Sequence, residues 1–231
     1  MIETKIPSSY AYLIYKAAWF QVRENYILAL GLTISPAILS GVLSIVPLIG
    51  ILAASFLSIY LFAGILVLQD RWFKRENYSV SDIGIVYKDK DLQNRILPLA
   101  IASTALSALI FLFGLLALGG TTGILISIPL TFAVVAINIL LFFTLPLIIF
   151  DNLNLSQAFD QIIQATSKHI LFFIMLTVMG IVLLGLAIIP LFLGLLIYIP
   201  TTFFSTYFIY LVVFKNLNLE TWIASRKEPT L

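Results

Sequence analysis

Residues 44–53 read SIVPLIGILA, and residues 187–196 read AIIPLFLGLL. Each is an apolar run that meets a proline, continues through a few aliphatic residues and reaches a glycine. Proline cannot extend a preceding helix without losing a backbone hydrogen bond, and glycine permits the positive φ of a tight turn. No charge lies near either copy. The first copy sits in an uncharged run from Asn25 to Gln69, and the second in a run from His169 to Phe214. A third uncharged run, Ile96 to Phe150, carries Gly119-Gly120-Thr121-Thr122-Gly123 near its middle. In chain order the three runs are 45, 55 and 46 residues long. A helix needs about 20 residues to cross the ~30 Å hydrocarbon core of a bilayer. Each run therefore holds two spans and the turn between them.

Composition agrees. Of 231 residues, 61% are hydrophobic and only 10% are charged, too few charges for the surface of a soluble domain of this size. The mean hydropathy is +1.09. Lipid demands that every backbone N–H and C=O be paired internally, which a helix achieves alone. The runs lack the strict alternation of a transmembrane β-barrel. The expected fold is an all-α polytopic membrane helix bundle, one integral domain over residues 1–231. Its six transmembrane helices form three hairpins, with amphipathic interfacial helices on the cytoplasmic side. The spans are expected at about 26–45, 51–69, 96–118, 124–150, 170–189 and 191–214. The turns are assigned to Pro47 and Gly50, to Gly119, Gly120 and Gly123, and to Pro190 and Gly194.

Charge gives the expected orientation. The 13 Lys and Arg divide as three in residues 1–24, six in 70–95, one in 151–168 and three in 215–231. The tips carry none. Short loops rich in Lys and Arg stay cytoplasmic, so both termini are expected inside and the tips outside. Trp19, Trp72 and Trp222 fall in the charged segments, as in an interfacial aromatic belt. Ser8 is expected to cap an interfacial helix ending near Glu24. Ser79-Val80-Ser81-Asp82 reads as the cap of a second amphipathic helix, and Leu155 opens a third, to about Lys168. The tail from Lys215 reads as polar and mobile. Residues 23–28, RENYIL, lead into the first hairpin much as 167–171, SKHIL, lead into the third, so a repeat of an amphipathic segment plus a hairpin is expected.

The residues Ile45-Val46-Pro47-Leu48-Ile49-Gly50, Leu61-Phe62-Ala63-Gly64, Ser81-Asp82, Pro146 to Asp151, Leu155-Ser156-Gln157-Ala158 and the Gly194…Pro200 pair carry a resemblance. The chain resembles the YciC-type bacterial inner-membrane proteins, related six-span domains of unknown function, and the membrane domain fused to some glycerophosphodiester phosphodiesterases. That resemblance covers nearly the whole chain and implies a six-span fold in the bacterial inner membrane. It implies no defined reaction, since no phosphodiesterase domain is present in this sequence.

Few residues invite chemistry. The expected spans hold no ionisable side chain, where such groups mark ion pathways and proton relays. His169 is the single histidine and reads as an interfacial residue wetted by headgroups; a general base would need a partner. Asp70 and Asp151 read as solvated helix ends. Asn138 is the most polar side chain deep in a span. It could bond to a neighbouring helix, a contact of roughly 0.6–2 kcal/mol, or line a pathway with Thr131 and Thr144. With no cysteine and a single histidine, no metal centre and no cofactor are expected. A net charge of +2 gives no support to a nucleic-acid partner. The expected protein is non-catalytic, a scaffold, assembly or envelope-maintenance factor whose expected partners are the bilayer and another membrane protein or a second copy. The alternative is a transporter of a lipid or small apolar solute.

Overall fold

A computed structural model of the chain describes residues 6–43, 45–46, 48–77, 79–188 and 194–227. Pro47 and Pro190, two of the expected turn residues, lie outside them. Among the described residues the regular structure is ten α-helices and one short 3-10 helix, with no strand. Six helices are long and apolar enough to cross a membrane: α2 (Tyr26–Leu43), α3 (Ile49–Phe73), α5 (Lys90–Ala117), α6 (Thr121–Phe150), α8 (Ile170–Ile188) and α9 (Leu195–Lys215). The shorter helices are α1 (Tyr10–Glu24), α4 (Ile85–Lys88), α7 (Leu155–Lys168) and α10 (Leu219–Lys227). Helices α2, α5, α6 and α9 run on through Pro36, Pro98, Pro129 and Pro146, and Pro200. The 30 residues of α6 extend about 45 Å at ~1.5 Å per residue, more than a bilayer core requires. The chain forms two compact units, one of residues 35–162 and one of residues 1–34 with 163–231.

In the unit of residues 35–162, α5 and α6 lie along one another, and α3 packs on α5. Their meeting faces bury Ile59, Ile65, Leu66, Leu68, Ile96, Leu99, Leu145 and Ile148. The tip between α5 and α6 is made by Gly119 and Gly120, as expected, and Gly120 takes a φ of 91° that few other residues tolerate. Gly123 plays a different part. It lies one turn inside α6, where a Cβ would strike the Leu116 carbonyl oxygen. Gly50 likewise sits in the first turn of α3 rather than in the turn itself, which passes through Leu48 at a φ of 52°. The charges of this unit gather at the other end of its hairpins. Ser79 and Asp82 form a reciprocal capping box that opens the 3-10 helix Val80–Gly84. The Asp82 carboxylate also accepts from Arg71, 3.0 Å away. Arg95 donates to the Ile148 carbonyl at 3.2 Å and to the Asn152 side chain.

In the other unit α9 is the centre. Phe204, Tyr207, Phe208 and Val213 are almost wholly buried, and α1, α8 and α10 pack around it. Ser9, not Ser8, holds the position before α1, and its side chain makes no capping bond. The apolar face of α1, which the sequence assigns to the lipid interface, is turned onto protein. Ala11, Ala17 and Ala18 are closed off from solvent, and their small side chains let α9 approach. Tyr10 lies beside Val212 and Asn216, and the Tyr26 hydroxyl donates to the Leu196 carbonyl at 3.0 Å. So α1 runs alongside α9 in the opposite direction. The sequence reading puts Tyr26 at a charged hairpin end and Leu196 beside an uncharged tip; the structure sets the two side by side. Gly194 stands just before α9, where a Cβ would meet the Ala187 backbone, 2.6 Å from its Cα. His169 is 2% exposed and accepts the Ile6 N–H on Nδ1, so protein rather than headgroups surrounds it.

The described part of the tail after Lys215 runs to Lys227 and is mostly helical. It forms α10, which buries Leu219 and Ile223 and stacks Trp222 edge-on against Phe208, centroids 4.9 Å apart. Its start copies an earlier corner. Residues 150–155 read FDNLNL and residues 214–219 read FKNLNL. Asn152 and Asn216 both turn left-handed, at φ 56° and 54°. The Leu153 and Leu217 N–H groups donate back to the carbonyls of Leu147 and Leu211. The Asn154 and Asn218 side chains then cap the next helices, accepting from Gln157 at 2.9 Å and from Thr221 at 3.1 Å. The corner after α3 shares the first step, with Arg75 at φ 57° two residues past Phe73.

Candidate functional site

Helix α3 presents Ile51, Ala54, Ser55, Ser58, Ile59 and Phe62 at alternating steps of three residues and one. Such spacing sets them on one helical face. Within the unit of residues 35–162 this face walls a cleft of about 290 Å³, closed by Ser40 of α2, Ser103 of α5, and Asn138 and Phe142 of α6. The Ser103 hydroxyl donates to the Asn138 side-chain oxygen at 3.1 Å. Ser103 is 6% exposed, so the bond is largely shielded. Phe62 and Phe142 meet edge to face, centroids 4.9 Å apart, and form the apolar wall.

Of the two roles the sequence left open for Asn138, the bond to a neighbouring helix is present. It ties α6 to α5, and the residue also lines a cleft. Its carbonyl side is engaged by Ser103, and the N–H₂ half supplies donors to the space. The Ser55 and Ser58 hydroxyls add donors and acceptors that rotate to suit an occupant, and the Ser103 oxygen can still accept. The lining residues carry no formal charge and no acid–base pair. What they can do is hydrogen-bond an uncharged group while Phe62, Phe142, Ile51 and Ile59 hold its apolar part.

The other two expected lining residues are not in the cleft. Thr144 is buried and its hydroxyl donates to the Leu141 carbonyl of its own helix at 2.6 Å, a bond that satisfies a Thr inside a helix without any partner. Thr131, two turns before Asn138 on α6, is half-buried and does not line the cleft. Gly50, Gly119, Gly120, Gly123 and Gly194 shape hairpin tips and take no part in it. The sequence reading missed Ser40, Ser55, Ser58 and Ser103. The spacing of Ser55 and Ser58 within an apolar helix was the available signal. Asp70 pairs with Lys74 at 2.7 Å, which accounts for its place at the end of α3. Among the described residues no cluster of three or more metal-ligating side chains occurs. No family model, no curated protein and no solved structure matches the chain.

Proposed function

We propose that the chain is a non-catalytic, multi-pass protein of the bacterial inner membrane that binds, and passes across the bilayer, a small uncharged solute or the polar part of a neutral lipid. The observation that carries this reading is the cleft around Asn138. It offers four hydroxyls and an amide, embedded among helices apolar enough to span a membrane. Polar groups at such depth are costly, and they mark substrate pathways. Support for a cytoplasmic loop comes from residues 70–95, whose six basic residues gather at one end of α3, α5 and α6, away from the Gly120 tip. Support for a threefold repeat comes from the joints and corners. A single residue, Asn25, Asp89 or His169, links each short helix to the hairpin that follows, and Arg75, Asn152 and Asn216 end the three hairpins alike. The YciC-type resemblance is part of the same proposal.

The test is flux in proteoliposomes loaded with a panel of labelled neutral solutes and neutral lipids, wild type against Asn138→Leu and Ser103→Ala. A flux that wild type supports and Asn138→Leu loses is expected. A flux indifferent to both substitutions would remove the cleft from the mechanism. No flux of any solute, with a stoichiometric membrane partner in a mild-detergent pull-down, would replace transport with an assembly role.

A further inference from the structure

A second concavity lies wholly in the unit built on α9. It is a groove of about 480 Å³, lined by the outer face of α1 and by α8 and α9, within the ~300–1,000 Å³ range of ligand sites. Its floor is aliphatic, with Leu183 among the α8 residues. The α1 wall brings Tyr12, Tyr15, Lys16 and Trp19, and α9 brings Tyr198. Lys16 is the one charged residue in the lining. Among the described residues its ammonium meets the Tyr12 ring, 5.6 Å from the centroid, and no carboxylate lines the groove. Helix α1 runs beside two helices fit to span a membrane, so this cation stands at their level. An ammonium there calls for a counter-charge.

We infer that this groove holds a long-chain fatty-acid anion, its chain along the aliphatic floor and its carboxylate on Lys16. One cation answers one negative charge. Apart from Thr201, whose hydroxyl donates to the Ile197 carbonyl at 2.7 Å, the remaining wall is apolar or aromatic and fits a single acyl chain. Tyr15 is 8% exposed, and a Cβ on Gly180 would come 2.8 Å from its hydroxyl, so the ring is held against α8. The Tyr15 phenol can donate or accept a hydrogen bond. This site shares no residue with the cleft around Asn138, and the two readings stand or fall separately.

The experiment uses the full chain in detergent micelles, with Trp72→Phe and Trp222→Phe so that Trp19 is the reporter. A spin-labelled stearate is titrated in and Trp19 quenching is followed, with unlabelled palmitate as competitor. Saturable quenching reversed by palmitate is expected. Lys16→Gln should weaken it about tenfold, the low end of a hydrogen bond to a charged group, and Lys16→Arg should restore it. The methyl ester of the same acid should bind weakly to wild type and be indifferent to Lys16→Gln. Each methylene removed from the competitor should cost about fourfold, from ~0.8 kcal/mol per buried CH₂. Leu183→Phe, which fills the floor, should abolish binding; should that variant misfold by circular dichroism, the Lys16 pair still decides. Equal binding by wild type and Lys16→Gln would overturn the inference. So would tighter competition by a lysophospholipid than by palmitate, or a Trp19 signal that follows self-association of the chain instead of added acid.

Discussion

Gly64 offers a sharp test of how the charged loop is fixed to the hairpins. It lies fully inside the packing of α3, where an added Cβ would strike the Ile83 carbonyl oxygen and approach its Cγ2 to 2.7 Å and its carbonyl carbon to 3.0 Å. The obstacle is backbone, so no rotamer change relieves it. The 3-10 helix must move as a body, against the Ser79–Asp82 capping box and the Arg71–Asp82 pair that hold it. Overpacking of this kind costs about 1–3 kcal/mol. Against it, Ala in place of Gly favours a helix by about 1 kcal/mol. Gly114 in α5 isolates the two effects, because nothing lies within 4 Å of its added Cβ. Gly114→Ala should gain the helical preference alone, and Gly64→Ala should fall about 1–3 kcal/mol below it, the overpacking cost with the shared preference cancelled. The readouts are thermal unfolding in one detergent and tryptic cleavage at Lys74 and Arg75. Gly64→Ala should melt lower and be cut faster. If the two variants melt together and are cut at the same rate, the 3-10 helix does not pack on α3 as described.

Two further outcomes can be checked. Asn154→Ala and Asn218→Ala each remove one helix cap, at about 1 kcal/mol apiece; the losses should match in thermal unfolding and leave membrane insertion unchanged. Asn138→Leu, beyond its effect on flux, should cost roughly 0.6–2 kcal/mol through the lost Ser103 bond, read as a lower melting temperature in detergent; no change in melting would mean that α5 and α6 hold together by packing alone.

Much of the architecture is legible in the sequence because lipid imposes one strong rule. A run of some 45 residues without charge has few alternatives to two helices and a turn, and the six long helices begin and end within six residues of the expected spans, α5 departing most by starting at Lys90. Helix α7 matches its expected range, because Leu155 follows the Asn-Leu-Asn turn and Lys168 closes an amphipathic pattern. Asn138 was legible because an amide in an apolar run stands out. The serines of the cleft were not, since a hydroxyl can bond its own helix and leaves no mark in hydropathy. The packing of α1 was hidden for a related reason. Alanine reads as neutral in a hydropathy pattern, yet Ala11, Ala17 and Ala18 are what admit α9. Helix α10 was concealed by its polar composition, although the copied FDNLNL and FKNLNL corners announced it. The tip glycines were assigned to turning, whereas Gly123 and Gly194 serve close approach, a distinction that only backbone distances reveal.

The unit around α9 joins the first 34 residues to those after residue 162. On the ribosome, α1 is made early and its partners α8, α9 and α10 are made last. At about 5–20 residues per second, α1 waits on the order of ten seconds while residues 35–162 are synthesised. During that time Ala11, Ile14, Ala17 and Val22 have no protein surface to cover them, and Glu24 lacks the ion pair that it makes with Arg226 in the folded chain, 2.6 Å away. An unaccompanied helix with one apolar face rests at the membrane surface, so the nascent chain would hold α1 there before α9 draws it in. Biogenesis then has two stages of unequal risk, and the late one leaves the chain open to insertase and protease. Shortening from the C-terminal side should therefore harm the newest and the oldest segments together, and spare the middle.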